Sequence, residues 1–171
     1  IAINKADGDN VIRAERAVLV WRDGVATRID WPHPAGAIDS VLPRIVAAGG
    51  RVYIGEPDSN QIVELALGGA APAPLHAQSF GEIWDIDAGT DAIHIGAADG
   101  GLWRLANGQR ERYAVHDAGI TDIVDAGDVL ATASDDRTVA VWQQPAMTIR
   151  WRTRGHDFLV NQLWLSPKRD A

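Results

Sequence analysis

A histidine, a threonine and an aspartate occur near one another in the chain, in a combination that could carry acid–base chemistry. His116 is followed by Thr132, Asp136 and Trp142. A hydroxyl, an imidazole and a carboxylate form the triad of many hydrolases, in which the hydroxyl must be open to substrate beside an oxyanion hole. Thr132 instead lies inside a run of strand-forming residues and should point toward the next strand. We therefore expect a structural hydrogen-bonded set and no catalytic residues.

The remaining acidic and histidine residues do not predict a metal site. The chain has 23 acidic residues and five histidines, but no HxxxH or HxH spacing. Asp85, Asp87 and Asp91 cluster in EIWDIDAGTD without the DxDxDG pattern of a calcium loop. We assign these aspartates to turns, where the side chain bonds to its own backbone. No metal and no cofactor is predicted.

Composition excludes several functional classes. The 171 residues carry a net charge of −7, which argues against nucleic acid as the main partner because phosphate binding needs a basic face. No apolar run approaches the roughly 18 residues of a membrane helix, so we expect no membrane insertion. The absence of cysteine excludes disulfides, cysteine-ligated zinc and a cysteine nucleophile within these residues. It leaves the cellular compartment open, between the cytoplasm and an oxidising space.

A repeat of about 40 residues organises the chain, which is the period of a four-stranded β-propeller blade. Segments 48–65, 88–105 and 126–142 each open with Ala-Gly and continue as a turn followed by strands. A shorter copy opens the chain, in which Gly8 aligns with Gly127 and Trp21 with Trp142. Alternating apolar residues bounded by Gly, Asp, Asn and Pro predict strands throughout.

Within this repeat, the chain resembles the WD-repeat β-propeller family in the spacing of His116, Thr132, Asp136 and Trp142. In that family the His precedes the innermost strand of a blade, the Ser or Thr lies on the second strand, the Asp in the following turn and the Trp on the third strand. The resemblance implies that His116 bonds to Asp136 and, through Thr132, to Trp142. The other blades depart from this pattern, since Ile95 stands where Thr132 would be expected in the preceding repeat.

We therefore predict an all-β fold: a single partial β-propeller over residues 1–171, made of four-stranded antiparallel blades and belonging to a larger ring of about seven. The blades span about 1–31, 38–79, 81–115 and 118–154, and residues 156–171 begin a further blade in which His156 takes the place of His116. Because propellers close into rings, the ring could be completed in three ways. The polypeptide continues; a second copy or a partner chain completes the ring; or residues 160–165 return to close four blades.

The resemblance implies a non-catalytic scaffold or subunit that binds other proteins through the face at the start of the inner strands. The alternative is the propeller part of an enzyme, such as a lyase, hydrolase or quinoprotein-like oxidoreductase, with its site in the central channel or outside this chain. Trp84 has the character of an interface hot spot, or else lines the channel or packs under a neighbouring blade. The residues predicted to form the binding face are Arg44, Glu82, Trp84, Asp117, Thr121, Asp135, Leu159 and Asn161.

Overall fold

The computed structural model describes residues 10–14, 17–22, 25–30, 44–56, 60–66, 73–74 and 79–166, and every regular element in these ranges is a β-strand. The strands form four antiparallel sheets in sequence order, which confirms the predicted all-β, bladed architecture. None of the described residues belongs to a helix long and apolar enough to cross a bilayer.

Each sheet is one blade. The first contains β1 (Asn10–Ala14), β2 (Ala17–Arg22) and β3 (Val25–Asp30). The second contains β4 (Arg44–Ala48), β5 (Arg51–Glu56), β6 (Gln61–Ala66) and β7 (Ala73–Pro74). The third contains β8 (Ile83–Ala88), β9 (Ile93–Ala97), β10 (Gly101–Ala106) and β11 (Gln109–Ala114). The fourth contains β12 (Ile120–Asp125), β13 (Val129–Ser134), β14 (Thr138–Gln143) and β15 (Thr148–Arg154).

The first two blades are described in part. The first has three described strands, and residues 1–9 of the blade predicted over about 1–31 lie outside the described residues. In the second blade the outer strand lies in an Ala/Pro-rich stretch and its described part is two residues long. A proline at its end is compatible with an edge position, because one side of an edge strand makes no ladder bonds.

Short turns rich in glycine set the strand register. Gly49 and Gly50 connect β4 to β5 and both have positive φ, at 58° and 72°. A two-residue hairpin loop of this kind requires left-handed backbone at both positions, which glycine adopts without steric cost. The resulting register pairs Ala48 with Arg51 across the turn.

Two buried hydrophobic clusters lie between successive blades, and a third consists of residues of the second blade alone. One buried cluster joins the second and third blades around Phe80 and Ile83, and another joins the third and fourth around Ile120 and Trp142. Close approach of the backbones is part of this packing. A Cβ atom at Gly96 on β9 would lie 2.7 Å from Cγ2 of Ile120 on the next blade. The inner strands are thereby held side by side, with their starts at one face.

Candidate functional site

The four residues singled out by the sequence lie together in the fourth blade. His116 Nε2 is 2.9 Å from the Thr132 hydroxyl, and the Trp142 indole Nε1 donates to the same hydroxyl at 3.3 Å. His116 Nδ1 is 3.4 Å from Asp136 Oδ2. We call this network, together with Thr138, the clasp.

Thr138 is the member of the clasp that sequence reasoning missed. Its hydroxyl lies 2.8 Å from His116 Nδ1 and donates to Asp136 Oδ1 at 2.5 Å, so it connects the imidazole to the carboxylate. Asp136 also accepts the backbone amides of Thr138 at 2.8 Å and Asp117 at 2.9 Å. The signal in the sequence is a threonine two residues after the turn aspartate, where an Asx-type bond forms naturally.

The electrostatics of the clasp favour an ionised Asp136 beside a neutral His116. Burial lowers the pKa of His116, against an opposing effect of the Asp136 charge. Burial alone would raise the pKa of Asp136, but the Thr138 hydroxyl and the two backbone amides hold it well below its ordinary value. Hydrogen bonds to a carboxylate stabilise its charged form in this way.

The burial of the clasp argues against a nucleophilic role for the Thr132 hydroxyl. Thr132 is fully buried and His116 is 6% exposed. A nucleophilic hydroxyl must meet its substrate, whereas the Thr132 hydroxyl is already engaged by an imidazole and an indole. The hydrogen bonds of the clasp therefore connect the strands of one blade to each other.

A second set of polar contacts joins neighbouring blades and corrects our assignment of Asp85 and Asp87 to turns. Both lie in β8, and only Asp91 lies in the turn that follows. Asp85 Oδ2 accepts the backbone amide of Ile123 at 2.7 Å, and Asp87 Oδ2 accepts that of Asp125 at 2.7 Å. These carboxylates therefore fasten β8 to β12 of the next blade.

Asp85 is the most strongly perturbed of these carboxyl groups. Burial, together with the neighbouring carboxylate of Asp122, raises the pKa of Asp85 to about 7. Burial likewise raises the pKa of Asp122, whose Oδ2 accepts the backbone amide of Leu163 at 2.5 Å. A perturbed carboxyl group in a cleft is a candidate catalytic acid. Here, however, one oxygen of each side chain accepts a backbone amide, that of Ile123 on β12 for Asp85 and that of Leu163 for Asp122.

A buried histidine reinforces the same boundary at the opposite end of the inner strands. His94 on β9 is fully buried, and its Nδ1 lies 3.1 Å from Asp125 Oδ2 at the end of β12. Asp125 Oδ1 accepts from the Gln144 side chain at 2.9 Å and from the Gly127 amide at 2.8 Å. His94 does not align with any position of the clasp, and the comparison of the repeats therefore did not identify it. Among the described residues there is no group of three or more His, Asp or Glu side chains that could hold a metal ion.

The predicted binding face lies at the starts of the inner strands, and Trp84 is its central aromatic residue. Trp84 is partly buried, with its ring packed across the blade boundary against Gly119. A Cβ atom at Gly119 would lie 2.2 Å from Cζ3 of the ring. The indole Nε1 donates to the exposed Glu82 carboxylate at 3.2 Å. The ring therefore packs on the neighbouring blade, which was one of the alternatives, and the residue as a whole is only partly buried.

Arg44 joins this face from the second blade, at the strand position that Asp85 occupies on the third blade. Arg44 pairs with Gly55 as Asp85 pairs with Gly96, so its counterpart on the third blade is Asp85 rather than Trp84. The Arg44 Nε donates to the Trp84 carbonyl oxygen at 2.5 Å. Polar contacts therefore continue from the second blade to the third.

The remaining predicted residues extend the face over the fourth blade and beyond it. Asp117 is exposed, Asp135 is partly buried, and the Thr121 hydroxyl donates to the carbonyl of Val160. Leu159 and Asn161 are exposed beside them. We call this set the rim; it comprises Arg44, Glu82, Trp84, Asp117, Thr121, Asp135, Leu159 and Asn161.

Comparison with known proteins gives similarity of fold alone. No protein-family model matches the chain, and no curated protein matches its sequence. Its structure is similar to that of the computationally designed Ika8 protein, with a TM-score of 0.71 and 16% identity over 96% of this chain and 56% of that one. It is similar to a chain of the mitotic checkpoint complex, with a TM-score of 0.74 and 13% identity over 94% and 53%.

The WD40 β-propeller domain of Doa1 gives a TM-score of 0.67 and 18% identity, over 95% of this chain and 56% of that one. The chain therefore spans a little over half the length of each of these three proteins. The fold is that of a β-propeller.

Proposed function

We propose that this chain is a non-catalytic scaffold that binds a protein partner across the rim. The observation that supports this most directly is the environment of Trp84. Its ring is held against Gly119 and its indole nitrogen is bonded to Glu82, while the residue as a whole is only partly buried. Interface hot spots are enriched in tryptophan that packs into a partner's pocket.

Pre-ordering makes Trp84 suitable for this role. Binding costs about 0.5–1.5 kcal/mol for each flexible side chain that it immobilises, and a ring already fixed against a neighbouring blade avoids most of that cost. Exposed polar groups lie beside Trp84, since Arg44 donates to its carbonyl oxygen and Glu82 accepts from its indole nitrogen. A polar border around a central aromatic residue excludes water from the contact and gives it orientation.

The polar sets elsewhere in the described residues support a role without chemistry. The clasp is buried and its hydroxyl is occupied. Asp85 accepts the Ile123 amide of β12, and Asp122 accepts the Leu163 amide. These groups maintain the geometry on which the rim depends.

The test compares two single tryptophan variants. Trp84→Ala removes the proposed anchor, whereas Trp151→Ala removes a tryptophan that is 53% exposed on the outer strand β15. Proteins captured on the wild-type chain from cells that express it are identified, purified and titrated against each variant by calorimetry. We expect Trp84→Ala to weaken binding by at least about 30-fold, corresponding to about 2 kcal/mol, and Trp151→Ala by less than about threefold. Equal binding by the wild type and Trp84→Ala would refute the rim as the interface.

A further inference from the structure

The side chains of Glu82 and Trp84 form a bonded pair at the rim. Glu82 Oε1 accepts the indole Nε1–H of Trp84 at 3.2 Å, and the backbone carbonyl of Glu82 accepts the Ala98 amide at 2.8 Å. The second carboxylate oxygen of Glu82, Oε2, has no hydrogen-bond partner among the described residues. The pair therefore presents an aromatic residue and an unused anionic acceptor side by side.

Carboxylates outnumber guanidinium groups among the rim residues. Glu82, Asp117 and Asp135 are the acidic members, and Arg44 is the basic one. Arg44 already donates to a backbone carbonyl of the rim, and the Asp117 carboxylate is 79% exposed, with its ion-pair partner Arg152 at 4.0 Å. No arginine or lysine in the described ranges lies within ion-pairing distance of the Glu82 or Asp135 carboxylate. The rim therefore carries an excess of negative charge that is largely free to act on a partner.

The cavity that Asp135 lines does not reverse this charge. Three aspartates, two arginines and a histidine line it: Asp135, Asp136, Asp157, Arg137, Arg154 and His156. Carboxylates thus outnumber guanidinium groups here as well. A surface of one sign attracts a partner of the opposite sign and repels one of the same sign, over a screening distance of about 8–10 Å at ordinary salt concentrations.

The outer part of the third blade already holds a guanidinium group between a tryptophan and an oxygen acceptor. Arg110 Cζ lies 3.8 Å from the centre of the Trp103 ring, and Arg110 Nη2 donates to the Ser79 carbonyl at 2.8 Å. Arginine suits such a site because its planar group stacks on an aromatic ring while its N–H groups donate to oxygen atoms. Trp84 and Glu82 supply the same two elements at the rim, with a carboxylate in place of the carbonyl.

We propose, on the basis of the function proposed above, that the partner of the rim is a basic protein segment, one arginine of which packs on Trp84 and donates to Glu82. Arginine and tryptophan are both enriched among interface hot spots, and the hot spots of two partners tend to face each other. Glu82 Oε2 accepts from the guanidinium group in this arrangement. Asp117 and Asp135 attract the other basic residues of the segment.

Peptides selected from a randomised library test this partner chemistry. Twelve-residue peptides displayed on phage are selected on the immobilised wild-type chain, and the most enriched peptide is synthesised with arginine or with citrulline, the uncharged isostere, at each arginine position. We expect arginine in the enriched peptides, and binding at least about tenfold weaker when citrulline replaces the arginine that contacts Trp84. Binding should also weaken as the NaCl concentration rises from about 50 mM to about 300 mM.

A matched pair of carboxylate variants locates the contact. Glu82→Gln removes the charge and keeps an oxygen acceptor for the Trp84 indole, whereas Asp91→Asn makes the same change at an exposed residue beyond the other end of β8. Glu82→Gln should weaken binding of the arginine peptide at least about tenfold, and Asp91→Asn less than about twofold.

The outcomes separate this inference from the proposed function. Peptides that bind Trp84→Ala poorly but bind Glu82→Gln as well as the wild type, or that bind equally with arginine and citrulline, would overturn the basic segment and leave the rim as the interface. The same holds for enriched peptides without arginine. Peptides that bind Trp84→Ala as well as the wild type would overturn both, and so would a selection that enriches no peptide.

Discussion

Replacing Asp136 by alanine should destabilise the protein strongly, because one carboxylate serves four donors. It accepts the Asp117 amide at 2.9 Å, the Thr138 amide at 2.8 Å, the Thr138 hydroxyl at 2.5 Å and Nη2 of the part-exposed Arg152 at 3.3 Å. Hydrogen bonds to a charged group contribute about 1.5–3 kcal/mol each, and contributions that share one carboxylate overlap. We therefore expect a loss of about 3–5 kcal/mol, less than the sum of the separate contributions.

The free energy of unfolding is obtained from urea denaturation followed by fluorescence of the seven tryptophans. Asp99→Ala is the matched control, since Asp99 occupies the corresponding turn of the third blade. Its carboxylate is exposed, pairs with Arg112 at 2.8 Å and accepts the Gly101 amide at 2.9 Å. A surface pair of this kind contributes about 1 kcal/mol or less. A loss for Asp136→Ala no larger than that for Asp99→Ala would refute the structural role of the clasp.

The pH dependence provides a second check on the same variant. The pKa of Asp136 is depressed in the folded protein, so the stabilisation is fully present above its ordinary value of 3.8 and is lost as the pH falls below it. The difference in unfolding free energy between wild type and Asp136→Ala should therefore be largest at pH 7 and should shrink near pH 3. A difference that stays constant over this range would show that ionisation of Asp136 is not involved.

Two further predictions concern the contacts between blades. The native state holds a proton on Asp85 up to a pH of about 7, whereas the unfolded chain releases it near 3.8, so stability should fall as the pH rises through this window. Asp85→Asn should remove this decrease in stability and should stabilise the protein at pH 8 by up to about 4 kcal/mol. Thermal and urea unfolding measure the difference. A variant that is less stable than wild type at pH 8 would contradict this reasoning. Gly96→Ala places a methyl group against Ile120 and should cost about 1–3 kcal/mol in the same assay. Gly101→Ala meets only the end of a flexible arginine side chain and should cost less than about 0.5 kcal/mol, so equal losses would argue against tight packing between blades.

The clasp could be predicted because it is built within one blade. His116, Thr132, Asp136 and Trp142 belong to consecutive strands and turns whose spacing is regular, so local sequence was sufficient to associate them. Thr138 was missed because a threonine that opens a strand is explained equally well by strand propensity.

Contacts between blades could not be predicted in the same way. Asp85 and Asp87 occur in a stretch rich in turn residues, and only their positions within β8 reveal that they accept amides from β12. The partners of these side chains are backbone groups, which carry no sequence signal. Trp84 and Gly119 illustrate the same limit, since neither residue type alone indicates that a ring lies on a glycine of the next blade.

The most direct test of the rim as a binding surface is hydrogen–deuterium exchange of the chain alone and in complex with its captured partner. Binding across the rim should slow exchange in the backbone around Glu82, Trp84 and residues 117–121. Exchange in the outer strands β11 and β15 should be unchanged. Protection confined to β11 or β15, with the segments around Trp84 unaffected, would contradict the proposed function.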